Sequence, residues 1–246
     1  MKSLAEREAK CRALVRKYYT NVPTREELLE RAVSRLLQPT EILLDAGCGE
    51  TLALLGEYGP RAGFGVGVDV VRPTRKSPLG TAVTLGNLAL LPFRDGVFHL
   101  IVSRSVIEHL EDPGAVFTEL RRVLKPGGRL VFTTPNKHYY SSVVARMIPF
   151  SWKDYYLQRV FGEEGYDHFP VFYRANTKSA LQRVARVAGL RVESVQALRH
   201  FPYYFLFSPL LFRLGMLYDW TITALRLDGL QSNWLVVMQR DSEHQS

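Results

Sequence analysis

Cysteine is nearly absent: Cys11 and Cys48 are the only two among 246 residues. Two thiols support neither a disulfide framework nor a cysteine-based zinc cluster, and no metal is expected. Long apolar runs are missing as well. No stretch of about 18 uninterrupted apolar residues occurs, so no spanning helix is expected. The opening run, Met1-Lys2-Ser3-Leu4-Ala5-Glu6-Arg7-Glu8, reads as charged helix and not as a secretory signal. The cytoplasm is therefore the expected compartment. Internal repeats, low-complexity linkers and nucleic-acid recognition motifs are lacking too, and the basic residues are scattered among acids.

What is present is ordinary globular material. Hydrophobic residues make up 46% and charged residues 23%, enough apolar content for a real core. The length suits one large domain carrying elaborations. With 32 Lys plus Arg against 24 Asp plus Glu, the net charge is +8. That excess suits anionic partners such as nucleic acid, a phosphorylated substrate or an acidic membrane surface. It is equally the mark of a solvated basic surface.

Residues 1–38 read as N-terminal helices, at 1–20 and 25–37. In the second, Thr24 stands before Glu26 and Glu27, and Leu28, Leu29, Ala32, Val33, Leu36 and Leu37 form one stripe that Pro39 stops. Short apolar runs at 41–45, 64–69, 82–85, 98–103, 129–134, 190–197 and 233–239 read as seven strands. Helical patterns at 51–58, 113–124 and 177–188 alternate with them. The pattern is that of an α/β fold with a doubly wound, mostly parallel seven-stranded sheet. Two segments break the rhythm. Residues 136–176 form a lid-like insertion rich in Tyr, Phe, Arg and His, and 201–231 form a hydrophobic insertion between the last two strands.

In doubly wound sheets ligands bind beyond the carboxyl ends of the strands. Asp45 ends the first strand, and Gly47-Cys48-Gly49 makes a turn that lets backbone approach a ligand. Asp69 ends the second strand, where a carboxylate can accept from both hydroxyls of a ribose. Asn87 and Leu88 follow the third strand, offering an amide and an apolar wall to a purine. Ser103 ends the fourth. A dinucleotide fingerprint wants glycine at the first, third and sixth turn positions; counted from Gly47, the sixth is Leu52, so that pattern fails.

The chain resembles the class I S-adenosylmethionine-dependent methyltransferases, close to the methyltransferase type 11 group that contains quinone-biosynthesis enzymes. The resemblance is carried by 43–49 (Leu-Leu-Asp-Ala-Gly-Cys-Gly), 67–69, 86–93, 98–103, 106–113 and 120–128. It implies a Rossmann-like methyltransferase fold and a cofactor, S-adenosylmethionine, that leaves as S-adenosylhomocysteine. Asp45, Ala46, Gly47, Cys48 and Gly49 would then hold the methionine part, with Asp69 and Val70 at the ribose. Asn87 and Leu88 would meet the adenine, and Ser103 would line the methyl-transfer face. The sequence departs from the family pattern in having Thr51 where a third glycine is common; Thr51 would instead cap the following helix. His99, at a position often acidic, is expected to be structural.

Within the matched region His109 is the candidate general base, with Glu108 beside it, although a histidine at a helix start also packs or caps. His138, Tyr139, Tyr140, His168, Tyr173 and Arg174 are candidates for binding an aromatic or anionic acceptor, or are the packed shell of the insertion. The expected activity is O- or C-methylation of a small molecule, lipophilic or glycan-linked. The rival is an RNA methyltransferase or a basic nucleic-acid-binding module. Residues 201–218 leave three readings open: a substrate cover, a peripheral membrane contact with basic flanks, or the surface of a homodimer. Monomer and homodimer both remain.

Overall fold

The computed structural model describes residues 3–147 and 169–242. The strands are β1 (Ile42–Ala46), β2 (Phe64–Asp69), β3 (Thr81–Leu85), β4 (Phe98–Arg104), β5 (Leu124–Pro135), β6 (Leu190–Leu198) and β7 (Asn233–Arg240). They form one mixed, mostly parallel sheet in the order β3-β2-β1-β4-β5-β7-β6. The helices are α1 (Leu4–Tyr18), α2 (Arg25–Leu36), α3 (Ala53–Tyr58), α4 (Pro113–Val123), α5 (Tyr140–Met147), α6 (Lys178–Ala188) and α7 (Pro209–Ala224).

Local chemistry sets most of these boundaries. Ser3 and Glu6 form a capping box at α1, each side chain accepting from the other's backbone N–H. The Asp112 carboxylate accepts from Ala115 N–H at 3.1 Å, and Pro113 opens α4 where its missing N–H costs nothing. Thr177 caps α6, and Gly189 ends it in the left-handed region. The start of β5 differs from the sequence reading. The glycines at 127–128, expected to precede a strand at 129, lie inside a strand that starts at Leu124. The pairing of β5 with β4 shifts register between Phe98 and Leu100 to accommodate them.

The chain divides into two compact units. One comprises Met1–Arg25, Pro135–Pro170 and Ala197–Asn233; the other comprises Glu26–Thr134, Val171–Gln196 and Trp234–Ser246. The second unit carries the sheet core, in which Leu43, Leu44, Ile101, Val102, Leu130 and Val131 are fully buried. Burial on both faces explains why these strands read as continuous apolar runs. The first unit has its own core of Cys11, Tyr19, Leu206, Phe212 and Met216. Its one deeply buried acid among the described residues, Asp219, accepts from the Tyr19 hydroxyl at 3.0 Å and from the Arg199 guanidinium at 2.7 Å. Paired in this way, the charge is tolerable inside. Of the apolar side chains in 201–218, Leu206, Phe212 and Met216 are buried in this core, and Phe201, Tyr203 and Phe205 pack against it.

Candidate functional site

β1 pairs with β2 on one side and β4 on the other, so the strand order reverses direction at β1. The ends of these strands are where an open α/β sheet leaves a crevice. The register sets Asp45 beside Gly67 of β2 and Val102 of β4.

Asp45 is fully buried. Its Oδ2 accepts from Leu55 N–H at 2.9 Å, satisfying the first turn of α3. Thr51 does not cap that helix as expected: Leu52 occupies the cap position at φ 54° without a side-chain bond, and the strand-end carboxylate does the work from outside. The other carboxylate oxygen, Oδ1, is buried and has no hydrogen-bond partner. Burial raises the carboxyl to about 7; the Leu55 amide and the Arg104 charge pull it down, and Asp69 pushes it up.

Gly47 and Gly49 both have positive φ, 82° and 63°. They serve different ends. A Cβ on Gly47 would lie 2.3 Å from Val106 Cγ2, so close packing requires the glycine. Around a Cβ on Gly49 nothing lies within 4 Å, so the turn there faces open space. The N–H groups of Gly47 and Cys48 donate to the Val68 carbonyl at 2.8 and 3.2 Å, tying the turn to the end of β2. The Cys48 thiol is pushed up to about 12 by burial and by Asp45 and Asp69, which removes it as a nucleophile.

Asp69 is clamped by backbone. Its Oδ2 accepts from Gly49 N–H at 2.7 Å and its Oδ1 from Val71 N–H at 3.0 Å. Each oxygen keeps a further lone pair for a ligand hydroxyl. Val70, beside it, is exposed. Asn87 is exposed too, and its Oδ1 accepts from Ala89 N–H at 2.9 Å, so the oxygen expected to meet an adenine amino group also serves its own loop. Leu88 is buried. Ser103 corrects the sequence reading: it is 1% exposed, and its hydroxyl donates to the Ala46 carbonyl at 2.7 Å. It staples β4 to β1 and does not line an open face.

Glu108 is buried, and its Oε2 accepts from the Thr134 hydroxyl at 3.2 Å. Asn176 Nδ2 donates to that same hydroxyl at 2.6 Å. The Glu108 carbonyl accepts from the N–H groups of Phe172 and Tyr173, at 2.8 and 3.2 Å. Glu108 thus anchors the 171–176 segment. His109, partly exposed, is left as the more accessible of the two candidate bases. Tyr173 sits at φ 52°, and Arg174 donates to the Glu111 carbonyl at 2.5 Å, so part of its donor set is spent on backbone.

His138, Tyr139 and Tyr140 belong to the other unit. There His138 is exposed, whereas Tyr139 is buried against Tyr140 with ring centroids 4.4 Å apart. Tyr140 stacks on Phe205 at 5.3 Å. His168 lies outside the described residues. Sequence reasoning missed Leu52 and Ser105, both non-glycine residues with positive φ, Leu52 at the start of α3 and Ser105 directly after the end of β4. Strain of this kind gathers at ligand sites, but nothing in a leucine or serine announces it. Thr134, Asn176 and Val106 were also passed over, since none carries chemistry by residue type alone.

Residues 44–132 match the family model described as a methyltransferase domain. That span is similar to a methyltransferase domain. Every candidate cofactor residue from Asp45 to Ser103, together with Glu108 and His109, falls inside it. A demethylmenaquinone methyltransferase of Mycolicibacterium gilvum is 33% identical over 115 residues, 44% of this chain and 49% of that protein. A malonyl-[acyl-carrier protein] O-methyltransferase of Herminiimonas arsenicoxydans is 36% identical over 115 residues, 43% of each chain. This chain thus spans less than half the length of either relative. In fold, the chain is similar to geranyl diphosphate C-methyltransferase of Streptomyces coelicolor, solved with Mg2+, geranyl diphosphate and S-adenosyl-L-homocysteine. The TM-score is 0.55 at 18% identity, covering 87% of this chain and 76% of that one.

Proposed function

We propose that this chain binds S-adenosylmethionine at the ends of β1 and β2 and methylates a small lipophilic acceptor. The observation that carries the cofactor reading is the conjunction, on one turn, of open space over Gly49 with the partnerless buried oxygen of Asp45. A buried acceptor oxygen without a donor is costly, and a ligand ammonium group would satisfy it. The donor set fits the cofactor's amino-acid end at Asp45 and its ribose hydroxyls at the clamped Asp69. Asn87 and Leu88 stand at the end of β3 for the base. When bound, the sulfonium supplies an activated methyl group, so the protein has mainly to orient reactants and exclude water.

The chain's own residues divide that work. Gly49 leaves room for the ligand, and Asp69 is held rigid by two backbone donors so that its remaining lone pairs are preorganised. For a hydroxyl acceptor His109 takes the proton, while Glu108 holds the neighbouring 171–176 segment in place. The lipophilic acceptor class is drawn from one relative, whose name specifies demethylmenaquinone, and from the fold neighbour solved with geranyl diphosphate.

The test supplies methyl-labelled S-adenosylmethionine to the purified chain with either a total lipid extract or total RNA. Label appearing in the lipid fraction, and lost on Asp69→Ala, is the expected result. Label in RNA alone would establish the nucleic-acid alternative, and label in neither would remove the proposal.

A further inference from the structure

α7 is apolar on both of its faces. Its inner side buries Phe212, Gly215, Met216 and Ile222 around Asp219. Its outer side presents Leu210, Leu214, Leu217 and Trp220, respectively 67%, 54%, 59% and 43% exposed. Their spacing of four, three and three residues puts them in one row. α7 contains only two charged residues, and they are sorted by sign: Asp219 points inward to Tyr19 and Arg199, whereas Arg213 is on the exposed side.

Cations border that row. Arg7, Lys10, Ser208, Pro209, Leu210 and Arg213 line a cleft of about 510 Å³ at the start of α7. Farther along, Tyr18 meets Trp220 edge-on at 5.5 Å, and the Lys17 ammonium lies 5.1 Å from the Tyr18 ring centre. An aliphatic ridge bordered by amphipathic rings and lysine or arginine is the composition of a bilayer interface.

We infer that this face docks on an anionic phospholipid surface. The leucine ridge lies at the acyl boundary, and Arg7, Lys10 and Arg213 face headgroup phosphates. Charge favours this occupant over a second copy of the chain, because self-association would bring three cations toward their own counterparts. No helix among the described residues is long and apolar enough to cross a membrane, so the contact is peripheral. The docking stands independently of the cofactor reading.

Flotation with vesicles tests it, using phosphatidylcholine alone and an equal mixture with phosphatidylglycerol. The chain should float with the mixed vesicles only, less as salt rises. Leu214→Asp/Leu217→Asp should cut partitioning roughly tenfold or more. Arg7→Ala/Lys10→Ala/Arg213→Ala should cut it by about two orders of magnitude. All these side chains are exposed or line a cleft, and unchanged circular dichroism and thermal midpoint verify that the variants fold. As a second readout, mixed vesicles should blue-shift tryptophan emission in the parent and not in Trp220→Phe. Failure to float with mixed vesicles, equal binding to neutral ones, or indifference to both variants would overturn the inference. So would a solution dimer abolished by Leu214→Asp/Leu217→Asp without any flotation.

Discussion

Replacing Asp45 with asparagine should stabilise the ligand-free protein, increasingly as pH rises. The carboxyl is fully buried, and burial lifts it from its ordinary 3.8 to about 7. The sign follows from linkage. In the unfolded chain Asp45 ionises near 3.8, whereas the folded chain holds the proton until about 7. The unfolded state binds fewer protons across that window, so stability falls as pH rises through it and levels off above. A difference of about three pKa units at 1.36 kcal/mol each sets an upper bound of about 4 kcal/mol. Asparagine keeps an oxygen to accept from Leu55 N–H and never ionises. The asparagine variant should therefore match the parent near pH 4 and exceed it by about 2–4 kcal/mol at pH 8. Urea unfolding at pH 4, 6 and 8, with equal m-values, measures this directly. A difference independent of pH, or an asparagine variant weaker at pH 8, would refute the reasoning.

Other perturbations separate structural from ligand-facing roles. Gly47→Ala should destabilise by more than about 2 kcal/mol, because strain at positive φ adds to the clash, and Val106→Ala should restore part of the loss in thermal melts. Gly49→Ala, with open space around it, should cost about 1–2 kcal/mol of backbone strain while weakening S-adenosylhomocysteine binding more than Gly47→Ala/Val106→Ala does. Ser103→Ala should lose about 1 kcal/mol, read as a midpoint drop of about 2–4 °C, with little change in ligand affinity. S-adenosylhomocysteine affinity should rise with pH up to about 7, by at most about tenfold per unit, as Asp45 gives up its proton to meet the ligand's ammonium. Calorimetry on Asp45→Asn should show that slope gone.

Much of this was legible in advance because strand ends write themselves into sequence. Several of the apolar runs lead into a polar residue, and Asp45, Asp69, Asn87 and Ser103 stand at or just after successive ends in chain order. Their individual duties were harder to read. Ser103 staples two strands through a carbonyl of a residue 57 positions away, a partner that only tertiary pairing reveals. Thr51 looked like a cap, yet the helix starts later and a carboxylate from β1 reaches it first. The 201–231 segment was legible as apolar but not as two-sided. Only the packing of Phe212 and Met216 against Cys11 and Tyr19 shows which side chains remain outside. Backbone strain at Leu52 and Ser105 leaves no trace in residue type at all.

Calorimetry with S-adenosylmethionine and S-adenosylhomocysteine tests the cofactor site most directly. Parent protein should bind both in the micromolar range. Asp69→Ala, its fold verified by circular dichroism, should lose at least about 2 kcal/mol of affinity from the charge-assisted hydrogen bonds removed. Absence of binding to either compound, or affinity unchanged by Asp69→Ala, would contradict the account.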